Sequence, residues 1–150
     1  MNLLDNFFGL EALLVDRLTS ELADLTPKVK ILTASDLAGV SEEQQFTPAV
    51  HLVYRGYRTT DMRSDGKVAR MQQTWLAVVA TRNARQLRTG DAARADAGQI
   101  AQRVLRALMG WQPNNFSKPL MLTDGPEAGF NGGFQYLPLA FTAELAVNVK

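Results

Sequence analysis

The stretch Phe134-Gln-Tyr-Leu-Pro-Leu-Ala-Phe-Thr-Ala-Glu-Leu-Ala-Val-Asn-Val149 decides the fold, because every odd position from Leu137 to Val149 is apolar. Successive side chains of a strand point to opposite sides of a sheet, so an alternation this long reads as a β-strand offering one face to a core. It runs to within one residue of Lys150. Terminal residues fray unless a sheet holds them, so this segment is expected to be a structural part of the fold.

Working back from it, Gly129-Phe-Asn-Gly-Gly133 reads as a flexible lead into that strand, Asp124-Gly-Pro126 as a turn, and Pro119-Leu-Met-Leu-Thr123 as a short strand. Before these, Asp91 to about Met109 reads as a helix. Ile100, Val104 and Leu108 repeat every four residues, and Ala97 and Ala101 complete their face. Gly110 suits the left-handed position that ends a helix, with Trp111 folding back on the last turn.

The middle of the chain predicts two strands, Ala49 to about Thr60 and Lys67 to about Thr81, around Ser64-Asp-Gly66. Asp-Gly supplies the positive φ of a tight turn, so the two are expected to pair antiparallel. The second has apolar residues of both parities, Trp75, Ala77 and Val79 against Leu76, Val78 and Ala80, and reads as a central strand covered on both faces.

At the front, Asp5 is placed to cap a helix running to about Asp24, with Leu14, Leu18, Leu22 and Leu25 as its apolar stripe. Thr26-Pro27 stops it, Val29 to Thr33 is a short strand, and Ser35 to Pro48 is a polar connection with room for one helical turn. The order is α-β-β-β-α-β-β without repeats. It predicts a single α+β domain over residues 1–150, a mostly antiparallel sheet with two main helices packed on it.

Composition limits what such a domain does. At 150 residues and 46% hydrophobic the chain can bury about two thirds of its unfolded surface. With no cysteine it has no disulfide framework and no thiolate ligand or nucleophile. The opening Met1-Asn-Leu-Leu-Asp-Asn-Phe-Phe8 lacks a basic leader, and no apolar run reaches the ~20 residues of a membrane helix, so a soluble, unexported protein without a membrane partner is expected.

Charge is uneven although the total is only +1: residues 1–54 net −5 and residues 55–106 net +7. Asp16, Glu21 and Asp24 make the first helix acidic; Arg55, Arg58, Arg63, Lys67 and Arg70 make the hairpin basic. Opposite patches on one chain favour head-to-tail pairing of identical copies, although ordinary solvated faces would give the same pattern.

Catalytic constellations are missing. His51, the single histidine, sits in the strand pattern Val50-His-Leu-Val53 with no metal-ligand spacing around it. Gly125 to Gly133 matches neither phosphate-loop pattern and precedes a strand where those motifs precede a helix. Glu42-Glu43 reads as solvated surface, and Ser64 beside Asp65 is explained by the turn. Catalytic, cofactor-binding and metal-binding residues are therefore expected to be none. Tyr54 and Tyr57 among the cations suggest a nucleic-acid surface, but they have opposite strand parity, so at least one belongs to a packed face.

Ala107-Leu-Met-Gly-Trp-Gln-Pro113, Pro119-Leu-Met-Leu-Thr-Asp-Gly-Pro126 and Gly133-Phe-Gln-Tyr-Leu-Pro-Leu-Ala-Phe-Thr-Ala-Glu-Leu145, with the buried-strand pattern Thr74-Trp-Leu-Ala-Val-Val-Ala-Thr-Arg-Asn-Ala-Arg85, resemble the tail terminator proteins of long-tailed bacteriophages, particularly Mu-like and related siphophage versions. These are packing and turn patterns, none of them catalytic. The resemblance implies a structural subunit forming a ring, usually a hexamer, on the last ring of the tail tube. Its partners would be copies of itself, the tail tube protein, the head-tail connector and passing DNA held without sequence specificity. It would be assembled in the host cytoplasm and reside at the head-proximal end of the virion tail. Another head-tail joining or minor tail protein, or a small nucleic-acid-binding module, is the alternative. For the ring, the acidic helix and the basic hairpin are the candidate patches, with the hairpin at an interface or lining the lumen.

Overall fold

The computed structural model describes residues 6–33, 47–82, 91–114, 116, 118–131 and 133–149. They form α1 (Gly9–Glu21), β1 (Lys30–Thr33), β2 (Ala49–Met62), β3 (Val68–Arg82), α2 (Asp91–Leu108), β4 (Met121–Thr123), β5 (Gly129–Asn131) and β6 (Phe134–Asn148). The six strands make one sheet ordered β1-β2-β3-β6-β4, with β5 also on β6. All pairings are antiparallel except that of β1 with β2. This is an α+β single-domain fold of the expected kind.

The terminal strand is the backbone of the sheet, pairing with β3 along its whole length from Arg82↔Phe134 to Val68↔Asn148. Its odd residues face the helices: Phe141, Ala143 and Leu145 are in the core, and Leu137 and Leu139 pack against it. In register beside them lie Trp75, Ala77 and Val79 of β3, then Val50 and Leu52 of β2. Onto this face α1 sets Leu10, Leu14 and Leu18, and α2 sets Ala97, Ile100, Ala101 and Val104. The two apolar stripes thus meet one sheet face, and burying such side chains is worth ~1.5–3 kcal/mol each before entropy is counted.

The other face is also buried in part, though without a helix. Ala49, His51, Ala80 and Ala140 are buried on it and Leu76, Val78 and Val53 half-buried, while among the described residues both helices lie on the opposite side.

Local boundaries also moved. Asn6 supplies the acceptor at the start of α1, its Oδ1 taking the Phe8 N–H at 2.9 Å; Asp5 lies outside the described residues. The helix stops at Glu21, and Leu22 N–H closes the last turn on the Leu18 carbonyl at 3.0 Å. Gly110 adopts φ +75 after α2, which only a residue without Cβ takes at no steric cost. Its N–H bonds the Leu120 carbonyl, and Trp111 returns an N–H to Leu108. Gly129–Asn131, read from its glycines as a flexible lead, is a strand pairing with Phe134–Tyr136, because the edge of β6 beyond β4 offers unpaired backbone groups. The connection 34–46, with Glu42 and Glu43, is outside the described residues.

Candidate functional site

The β2–β3 hairpin has the turn its sequence implies. Gly66, at φ +73, donates to the Arg63 carbonyl at 2.9 Å, while Asp65 Oδ1 accepts the Lys67 N–H at 3.0 Å. It does not project as two strands alone. The end of β6 runs beside it, and Val149 N–H bonds the Lys67 carbonyl at 2.8 Å, giving a three-stranded arm.

Two register shifts shape the arm, one between Tyr54 and Gly56 and one between Thr59 and Asp61. Each extra residue reverses the alternation beyond it. Tyr54 pairs with Trp75 and Tyr57 with Gln73, both helix-face positions, so the bulge at Arg55 puts the two tyrosines on the same face despite their opposite numbering. Phe7 contacts both edge-on, at 5.9 and 5.7 Å between ring centroids. Phe8 packs on Tyr54 at 5.1 Å and reaches Trp75 at 6.5 Å. Aromatic packing accounts for Tyr54, while Tyr57 stays 59% exposed beyond its contact with Phe7.

The five cations do not form one patch. Arg63 makes a bidentate pair with Asp65 inside the turn, which holds the Asp65 carboxyl below its ordinary range, the hydrogen bond from Arg63 being the main cause. Arg70 lies 3.8 Å from Glu144, which Lys118 also approaches at 3.2 Å. Arg58 donates to Gln72 Oε1 at 3.3 Å. Among the described residues Arg55 and Lys67 have no carboxylate partner. Glu144 as a partner was not legible in the residue order, because the pairing comes only from the β3–β6 register.

The acidic helix is similarly offset from within. Arg17 pairs with Glu21 at 3.3 Å, one turn away. Arg103 of α2 bonds both Asp24 carboxylate oxygens and the Glu21 carbonyl; the hydrogen bond from Arg103 lowers the Asp24 pKa. These pairs are solvent-facing and hold geometry more than stability. Asp16 remains exposed, with no ion pair among the described residues. Beside it, α1 and the turn after α2 enclose a surface groove of about 890 Å³. Arg17 ties α1 to this turn, its guanidinium 5.4 Å from the Trp111 ring centroid and its Nε donating to the Ala107 carbonyl at 2.9 Å.

His51 is buried on the sheet face away from the helices, beside Val78, and its Nε2 has no partner among the described residues. Burial lowers its pKa from 6.5. The unfolded chain therefore holds more protons between the lowered value and 6.5, so stability falls as pH drops through that window and levels off below it. The difference in melting temperature between the native protein and His51→Leu is expected to change between pH 7.5 and 5.5, with the native protein losing more. Parallel melting curves for the two across that range would refute this.

Among the described residues no three His, Asp or Glu side chains converge as a metal site, and no helix is long and apolar enough to cross a membrane. The arrangement offers surfaces: an arm with exposed cations, an acidic helix flank and a groove. A family model described as phage tail terminator protein matches residues 3–149. No curated protein matches the sequence. With nearly its whole length covered by that match, and with an α+β fold built from the motifs that carried the resemblance, the chain belongs to the phage tail terminator family, structural proteins of the phage tail.

Proposed function

We propose that the protein ends the phage tail tube as a hexameric ring of identical copies, stopping tube polymerisation and offering a surface to the head's connector while DNA passes through. It does so by binding alone, with no catalytic step. The observation that carries this reading is the family match over residues 3–149. Surfaces of opposite charge on one subunit support it, since a closed ring needs one patch to meet a different patch on the next copy. The ring works at the head-proximal end of the tail, after assembly in the host cytoplasm.

Within the ring the basic arm is assigned to the subunit interface. Arg63 and Arg70 already have carboxylates at hand, so the arm presents Arg55, Arg58 and Lys67 as separate charges and not as a continuous phosphate track, which favours point contacts between subunits. Asp16 is the acidic group left to oppose it, since Glu21 and Asp24 are already paired with Arg17 and Arg103.

Light scattering and negative-stain microscopy test the ring directly, alone and with tail tube protein. Particles of about six times the 16.5 kDa subunit mass are expected. A monomer under every condition, tube included, would refute the proposal. Replacing Arg58, Arg63 and Lys67 together with Gln is expected to weaken assembly roughly tenfold and to reduce its salt dependence. Loss of salt-sensitive DNA retention with unchanged assembly would instead place these residues toward the lumen.

A further inference from the structure

The groove beside α1 has a chemistry that suits one particular object. Phe8, Ala12, Val15 and Trp111 give it an apolar lining, and Glu11 and Asp16 bring two carboxylates to it. Neither carboxylate is ion-paired among the described residues. A site of this kind accepts a projecting apolar side chain flanked by cations.

The tip of the arm offers Met62 with a cation near it, Lys67, that has no carboxylate partner among the described residues, Arg63 being paired with Asp65. Met62 ends β2 with 54% of its surface exposed, in the midst of charged residues. Met62 pairs with Ala69, a helix-face position beyond the last buried side chains. Lys67 is close by across the turn, where Arg63 donates to the Val68 carbonyl at 2.8 Å. A methionine thioether packs well against aromatic rings, and the groove provides Phe8 and Trp111.

The tip cannot fill the groove of its own chain. Phe8 in the groove is held at 5.1 Å from Tyr54, and Met62 lies eight residues farther along the same strand, about 20–25 Å away at the rise of extended chain. The tip can therefore reach such a groove only on another molecule, and a second copy carries both halves of the match.

We infer that the arm tip of one copy docks in the α1–Trp111 groove of the next, Met62 packing on its apolar lining and Lys67 meeting Asp16. This deepens the ring reading and rests on it, since tip and groove are different surfaces and their contact runs head to tail until it closes.

The chain has no cysteine, so introduced thiols report the contact cleanly. Met62→Cys and Ala12→Cys alter exposed positions. Mixing the two single variants under mild oxidation is expected to give a covalent dimer, and one chain carrying both changes is expected to give a ladder up to the full ring. Asp16→Lys or Lys67→Glu alone should weaken association roughly tenfold, and the two reversals together should restore it. Assembly by light scattering, with no 62–12 crosslink and no rescue by the double reversal, overturns this docking while the ring reading stands. Monomers throughout, even with tail tube protein, overturn both.

Discussion

Trp75→Ala is expected to lower the free energy of unfolding by about 3–5 kcal/mol, the range for removing a buried aromatic side chain. Trp75 is 2% exposed at the centre of β3, paired with Tyr54 on one side and Phe141 on the other. Its ring is 5.4 Å from that of Tyr54, and Leu10, Leu14, Leu52, Leu108 and Leu120 surround the same space. Truncation would leave a void under both helices that β3, paired without interruption to β6, cannot close. Urea unfolding followed by circular dichroism measures the loss; a shift below about 1 kcal/mol would mean that the core repacks freely around residue 75.

Gln73→Leu, a nearly isosteric change, is expected to cost about 1–3 kcal/mol through unsatisfied polar groups and not through volume. Gln73 is fully buried. Its Oε1 accepts the Trp75 Nε1–H at 3.0 Å, and its Nε2 donates to the Phe7 carbonyl at 2.8 Å. Leucine fills the space but leaves the indole N–H without an acceptor and cuts the tie holding Phe7 to the sheet. Proteolysis near residues 6–8 should therefore accelerate alongside the drop in stability. Equal stability and unchanged proteolysis would show that the relay contributes nothing. Because Gln73 and Trp75 share a hydrogen bond, the two substitutions are expected to be non-additive in combination.

A buried glutamine of this kind could not be read from the chain, where Gln72-Gln73 looks like a polar stretch in a strand. Only the pairing with Ala143 and the approach of Phe7 make it interior. The same holds for charge. Asp24 is 79 positions from Arg103 in sequence, yet the packing of α1 against α2 brings them into a hydrogen-bonded pair, so counting charge along the chain overstated the acidic surface. Arg70 and Glu144 repeat the lesson across β3 and β6. In the hairpin, parity failed because one bulged residue at Arg55 resets the alternation, and a bulge leaves little trace in residue types.

The sequence by itself determined the two helices and the strands other than Gly129–Asn131, the terminal strand with its odd-numbered core face, the leucine and alanine stripes of the helices, the Asp-Gly turn and the glycine stop at 110. These follow from local periodicity and backbone chemistry, which act within a few residues. Tertiary structure alone decided that both helices cover one face, that β1 runs parallel to β2, that Gly129–Asn131 pairs as a strand, and which acids and cations neutralise each other. Those outcomes depend on register and on distances between segments far apart in the chain, where a shift of one residue exchanges what is buried for what is presented to a partner.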